Sequence, residues 1–350
     1  LDRSSAASDV YKRQDVLSLS ANDAVVPVVP MFHVNAWGLP FAAPMVGAKL
    51  VMPGPNLDGA SLHSLFESEG VTATAGVPTV WLGLLDWMDA HGQKFTSLKR
   101  VAIGDSATPP IMISRFHNMG VTVRHAWGMT ETSPIGLAAT LLPKHEKLSA
   151  EERLMLESKQ GRPLFGMEFR IDGSDGKPVA RDGKAFGAML VRGPWVAAGY
   201  YNTEKSPAHA VEGWFDTGDV VTMDEDGFVQ IVDRTKDVVK SGGEWISSIE
   251  LENIAQAHPA IKEAAVVAAP DARWGERPVL VVVVKPGQTF TRHDMLDVYT
   301  GKISRWSIPD DVIIVEELPH TATGKLLKTA IRQIVLDEYE KRSPDATLAG

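Results

Sequence analysis

Cysteine is absent from the 350 residues, which excludes disulfides, thiolate metal sites and a cysteine nucleophile, and fits a cytoplasmic setting. Long apolar runs are absent too. The longest, such as residues 278–284, are strand-sized, well short of the roughly 20 residues a membrane helix needs. Positive charge is in deficit: 35 Lys and Arg stand against 44 Asp and Glu, a net charge of −9. No basic stripe is left to neutralise a phosphate backbone, so nucleic acid is excluded as a partner. Initiator Met and signal-peptide pattern are both missing, and residues 1–14 carry no periodicity. They are read as a non-native or disordered tail. What remains is an ordinary globular composition, 44% hydrophobic and 23% charged, in a chain too long for one compact core.

From residue 24 the pattern alternates strand and helix. Residues 25–29 form an apolar run, and Asp58 can cap a helix that Gly70 ends. Residues 71–77 read as a strand, Pro78 opens a helix stopped by Gly92, and 98–103 are a strand. A helix over 109–119 and a strand over 121–125 follow. This repetition predicts an α/β domain with a mostly parallel sheet. Residues 142–159 are charged with little apolar face and read as an exposed excursion.

Past Gly161, Asp-Gly turns at 172–173, 182–183 and 226–227 predict a small β subdomain over about 161–232. The large domain is thus placed at 15–232, a charged hinge at 233–240, and a small α+β C-terminal domain at 241–350. Within that domain Ser247 and Glu250 have capping-box spacing. Residues 279–284 and 312–315 read as strands and 326–339 as a terminal helix.

Four strings carry chemistry. Trp127-Gly128-Met129-Thr130-Glu131-Thr132 follows a strand, at the end where parallel sheets bind ligands. It offers an aromatic face, a hydroxyl and a carboxylate fit to hold Mg²⁺. Next comes Trp214-Phe215-Asp216-Thr217-Gly218-Asp219, whose last Asp can accept two ribose hydroxyls. The third is Asp233-Arg234-Thr235-Lys236-Asp237 with Lys240-Ser241-Gly242-Gly243-Glu244-Trp245-Ile246, where paired glycines allow close ligand approach. The fourth, Pro319-His320-Thr321-Ala322-Thr323-Gly324-Lys325, presents one Lys before a helix. Each alone also reads plainly, as a polar loop or a helix start with a solvated charge.

In this order the four together resemble the adenylate-forming (AMP-binding) superfamily over residues 24–341, nearly the whole chain. Three further strings are similar to those of bacterial long-chain fatty acyl-CoA synthetases: residues 30–37, residues 75–81, and residues 240–248. The resemblance implies the acyl-CoA synthetase-like fold and a fatty acid–CoA ligase using ATP, Mg²⁺ and CoA. It implies that Trp127 faces the adenine beside Gly128, that Thr130 contacts the α-phosphate, and that Glu131 is the metal ligand. Asp219 and Arg234 would hold the ribose, with Lys236 at the hinge. Lys240, Ser241, Gly242, Gly243 and Trp245 would form the CoA and thioester loop. Lys325 would bridge the attacking carboxylate and the α-phosphate, while His33 and Trp37 would line the acyl tunnel, Trp37 as its gate. The plainer reading of Trp37 is a core aromatic.

Two departures stand out. Asp105 occupies a position where the family carries Gly, and the family's phosphate loop, expected upstream of Pro30, is not in the sequence. The chain is therefore read as a piece of a longer enzyme, expected not to turn over alone. Other readings remain: a ligase for a short-chain or methylmercaptopropionate-type acid, or a non-catalytic module holding nucleotide or CoA. A homodimer and peripheral membrane contact are left open.

Overall fold

The computed structural model describes residues 16–173, 175–203, 206–242, 244–321 and 326–342. They divide into two units, the first running to residue 217 and including 221–231, the second formed by 218–220 and everything from 232 onward. The tail expectation for residues 1–14 lies outside the described residues.

The first unit opens with β1 (Ala24–Val28), α1 (Leu39–Met45), β2 (Lys49–Leu50) and α2 (Gly59–Glu69). It continues with β3 (Ala73–Gly76), α3 (Pro78–His91), β4 (Arg100–Ile103), α4 (Pro110–Asn118) and β5 (Thr122–Gly128). Then come β6 (Ile135–Ala138), α5 (Ala150–Glu157) and β7 (Arg162–Pro163). Local chemistry sets the helix ends. Asp58 accepts from the Ser61 amide at 3.0 Å, and Gly70 and Gly92 close α2 and α3 at φ 62° and 64°.

Seven strands run in the order β2-β1-β3-β4-β5-β6-β7. Pairings from β2 to β5 are parallel, whereas β6 is antiparallel to β5 and to β7. The reversal follows from chain length: residues 129–134 are too few for a crossover and suffice only for a hairpin.

Alternation along the strands sorts side chains by size. Val26, Val28, Val101, Ile103 and Val123 join Phe66, Trp81 and Leu84 on the face of α2, α3 and α4. Ala73, Ala75, Ala102 and Ala126 line the opposite face, with Trp37, Leu39 and Ala42. Small residues there permit close approach, and a Cβ on Gly104 would stand 3.2 Å from the Trp37 ring. Trp37 sits in a left-handed turn, Val34 to Trp37 having φ of 46–52° and Gly38 65°. Left-handed L residues cost roughly 1–2 kcal/mol each, so burial of Ala36 and Trp37 must hold the turn.

Residues 142–159 are largely exposed, as expected, but anchored at two points. His145 and Glu157 are buried, and Leu154 packs against the core of α2, α3 and α4. His145 meets Asp226 at 2.9 Å, a partner 81 residues away that no local pattern announces.

A second sheet holds β8 (Glu168–Asp172), β9 (Phe186–Arg192), β10 (Phe215–Met223) and β11 (Val229–Arg234), ordered β11-β10-β9-β8. The second unit adds β12 (Val239–Ser241), β13 (Glu244–Ile246), α6 (Ser248–Gln256), β14 (Ile261–Asp271) and β15 (Gly275–Val284). It ends with α7 (Arg292–Tyr299), β16 (Asp311–Ile314) and α8 (Lys328–Arg342). Its centre is the long β14–β15 hairpin, of which the sequence announced only the second strand. Ser247 caps α6, accepting from the Glu250 amide at 3.0 Å. Helix α8 starts two residues later than expected.

Candidate active site

Strand β5 runs on through Trp127 and Gly128, so these two belong to the sheet and not to the loop expected there. Trp127 is 7% exposed, edge-on to Phe169 at 6.0 Å, and a Cβ on Gly136 would lie 2.7 Å from its ring. Gly128 is needed for space rather than flexibility: a Cβ there would fall 1.8 Å from the Pro134 carbonyl oxygen. The loop proper is 129–134. It is closed by the Met129 amide, which donates to Pro134 O at 2.9 Å, and by Thr132 Oγ1, which accepts from that amide at 3.0 Å. Thr130 and Glu131 sit on its single 3₁₀ turn, Thr130 exposed and Glu131 partly so.

A neighbouring segment straps this loop from outside. Ser133 Oγ donates to Trp195 O at 3.0 Å, and the Ala197 amide donates to Glu131 O at 2.8 Å. Tyr200 Oη donates to Glu131 Oε1 at 2.7 Å. That bond to a carboxylate pushes the Tyr200 phenol up to about 12. Tyr200 had no role in the sequence reading. A Tyr after a Gly-rich strand exit carries no signal of its partner, which lies 69 positions away.

Beside Thr130, Ser133 and Pro134 opens a groove of about 860 Å³. Its other walls are Phe32, Val34, Asn35, Gly38, Pro40, Phe41, Pro44 and Met45, from the left-handed turn and α1. His33 flanks the turn, with Nε2 3.5 Å from Asp105 Oδ1. Asp105 has φ 74°, the left-handed region that favours glycine and that Asp tolerates better than most residues. Asp there sets a carboxylate beside the His33 ring.

In the second unit Asp219 is 1% exposed, with Oδ1 2.8 Å from Arg234 Nε. Lys236 is exposed, and its carbonyl accepts from Arg332 Nη2 at 2.7 Å. Arg332 also reaches Asp237 Oδ1 at 2.6 Å, so residues 236–237 are pinned to α8. Asp233 is buried, which pushes its carboxyl up against the opposing effect of Lys328. Lys328 Nζ lies 2.7 Å from Glu252 Oε1. Lys240, Ser241 and Trp245 lie on the β12–β13 hairpin, where Lys240 pairs with Trp245, and Gly242 begins its turn. Gly243 and Lys325 lie outside the described residues. The structure therefore brings Thr130 to the groove with Glu131 next to it on the 3₁₀ turn, joins Asp219 to Arg234, and groups Lys240, Ser241, Gly242 and Trp245, while Glu131, His33 and Trp37 are not among the groove's walls.

Among the described residues no cluster of three or more His, Cys, Asp or Glu could cage a metal. Glu131 as a single carboxylate beside a hydroxyl fits Mg²⁺, which is held largely by water and substrate phosphates.

Comparison with known proteins bears on both units. The AMP-binding enzyme family matches residues 3–201, and the AMP-binding enzyme C-terminal domain matches 250–325. A medium-chain-fatty-acid–CoA ligase of Ectopseudomonas oleovorans is 52% identical over 91% of this chain and 58% of its own length. A long-chain-fatty-acid–CoA ligase of Thermus thermophilus is 49% identical over 93% and 60%. A 3-methylmercaptopropionyl-CoA ligase of Ruegeria lacuscaerulensis is also 49% identical over 93% and 60%. The chain thus spans 58–60% of the length of these relatives. Among solved structures, the Bacillus subtilis o-succinylbenzoate CoA synthetase with its acyl-adenylate intermediate has a TM-score of 0.80 at 26% identity. That match covers 94% of this chain and 64% of the other. The α/β large domain with a β subdomain and small α+β domain is the acyl-CoA synthetase fold.

Proposed function

We propose a function from one premise: the chain belongs to the AMP-binding enzyme family. The whole protein is a fatty acid–CoA ligase, an acid–thiol ligase acting on a medium- or long-chain acid through acyl-AMP. The observation that carries this reading is the apolar groove that ends at Thr130 and Ser133, on the loop that also carries Glu131. At about 860 Å³ it is of the size that encloses a drug-sized ligand, ample for an alkyl chain.

In the first step a carboxylate oxygen attacks the α-phosphorus of ATP and the bond to pyrophosphate breaks. Thr130 contacts the α-phosphate, and Lys325 bridges it to the carboxylate. Glu131 would hold Mg²⁺, which would supply positive charge against that building on the phosphate oxygens. Trp127 and Gly128 flank the adenine, and Asp219 with Arg234 holds the ribose. In the second step the CoA thiolate attacks the acyl carbonyl and AMP leaves with the bonding pair. Lys240, Ser241, Gly242, Gly243 and Trp245 serve that step after a rotation about Lys236. His33 and Trp37 are assigned to the acyl tunnel, Trp37 as its gate, from behind the groove wall that Phe32, Val34 and Asn35 form.

The second reading, a ligase for 3-methylmercaptopropionate, is favoured by two relatives of that name, at 49% and 48% identity. The groove argues against it, since a short thioether acid would fill little of it. No described helix is long and apolar enough to cross a membrane. Cytoplasmic location belongs to the proposal. The test is an acyl-chain panel on the whole protein: acids of about eight carbons or more should be activated best, and a preference for 3-methylmercaptopropionate would replace this reading with the second.

A further inference from the structure

We propose that Arg277 is a positioning residue for the Lys240–Gly242 loop, locking β12 in place through Ser241 so that Gly242 seats between two indole rings. The proposal concerns how the loop is held, and its catalytic consequence rests on the thioester role given to that loop above.

The β12–β13 hairpin has little main-chain attachment of its own. Its ladder to β15 holds the single pair Ser241–Gly275. Beyond that, the Lys240 amide donates to Glu276 Oε2 at 2.8 Å and the Gly242 amide to Trp274 O at 2.8 Å. Side chains must supply the rest.

Arg277 lies on β15 and is 8% exposed. All five of its N–H donors have an assignable acceptor, as a buried guanidinium requires. Nε and Nη2 fork onto Asp310 at 2.9 and 2.7 Å. Nη2 also reaches Ile308 O at 3.2 Å, and Nη1 donates to Trp306 O at 2.9 Å and to Ser241 Oγ at 3.1 Å. Ser241 is fully buried. One planar group thus ties the hairpin to the 306–310 segment.

The same segment supplies half of the Gly242 seat. Trp274 and Trp306 meet edge to face at 4.4 Å. Gly242 has φ 58°, and a Cβ on it would come 3.0 Å from Trp274 and 3.2 Å from Trp306. The guanidinium lies 4.9 Å from the Trp306 ring centre, holding the ring and the hairpin with one set of bonds. An anchor needed only for folding would be satisfied by Asp310 and the backbone carbonyls. The arm to Ser241 is the one that reaches the loop.

Lysine cannot reproduce a fork with five fixed donors. Hydrogen exchange on this chain, wild type against Arg277→Lys, tests the anchor directly. We expect exchange at the Lys240 and Gly242 amides to rise at least about tenfold, with Val281 and Val282 in the centre of β15 within about twofold. Unchanged exchange at Lys240 and Gly242, or a uniform rise through β14 and β15, overturns the proposal. Should Arg277→Lys not fold, Ser241→Ala removes only the contacted hydroxyl and must give the same local rise, or the proposal fails.

In the whole protein, Arg277→Lys should slow thioester formation from supplied acyl-AMP at least about tenfold and leave pyrophosphate release within about twofold. A loosened loop with both half-reactions equally affected would uphold the anchor and overturn the thioester role of the loop.

Discussion

Tyr200 holds the carboxylate on which the site reading turns, its hydroxyl 2.7 Å from Glu131 Oε1, with the Ala197 amide on the Glu131 carbonyl. Tyr200→Phe should release the 195–200 segment, and exchange at the Ala197 amide should rise severalfold. Global stability should fall by roughly 1 kcal/mol or less, because Tyr200 is 42% exposed and solvent replaces part of the bond. The phenol pushed up to about 12 stays protonated where an ordinary Tyr ionises. A 295 nm titration of the variant should therefore lose one late transition. An unchanged titration would mean that the Tyr200–Glu131 bond does not form in solution.

Glycine positions separate steric need from propensity. Gly128→Ala would drive a Cβ against the Pro134 carbonyl and should cost on the order of 3 kcal/mol while displacing the 129–134 loop. Gly83→Ala, inside α3 with nothing within 4 Å of the new Cβ, should instead stabilise by up to about 1 kcal/mol. Urea midpoints of the two variants check both, and similar effects would contradict the packing described.

His125 is 1% exposed and burial pushes it down to about 4 from its usual 6.5, the native ring staying neutral with Nδ1 donating to Ser158 O at 2.9 Å. Between pH 6.5 and 4 the unfolded chain binds a proton that the native state refuses. Stability should therefore fall as pH drops through that window, by about 3 kcal/mol in total from this residue. His125→Asn should show a shallower fall over the same range in denaturant titrations, whatever its stability at pH 7. Parallel pH curves would contradict the assignment.

Trp37→Ala separates gate from core. Loss of a buried Trp costs about 3–5 kcal/mol in any case, so the informative readout is acyl-chain preference. A gate predicts altered chain-length dependence in the whole protein. A uniform loss of activity across chain lengths would leave Trp37 a core aromatic, in keeping with its 7% exposure.

The α/β class and most elements of the first unit were legible because they are local. Asp58, Gly70, Pro78 and Gly92 mark helix ends through bonds to residues within a turn. The antiparallel turn-back of β6 was missed because Ile135 to Ala138 was not read as a strand; once it is one, the short 129–134 link fixes its direction. The docking of residues 142–159 was not legible either, since it depends on Asp226. At the site, residue types in order suggested nucleotide chemistry, but Tyr200 and Arg277 act through partners 69 and 36 positions away. Sequence proximity carries no trace of such pairs. Asp105 is a middle case: the residue was visible in the sequence, but its φ of 74° and its approach to His33 at 3.5 Å were not.

The central claim, adenylation of a fatty acid at the Thr130–Glu131 loop, is tested most directly by ATP–pyrophosphate exchange in the whole protein, with and without Glu131→Gln. The account predicts exchange that requires a medium- or long-chain acid and Mg²⁺, and that falls at least about 10²-fold in the variant, the scale of losing one preorganised charge contact. Exchange of undiminished rate in Glu131→Gln, or none with any fatty acid in the wild type, would contradict it.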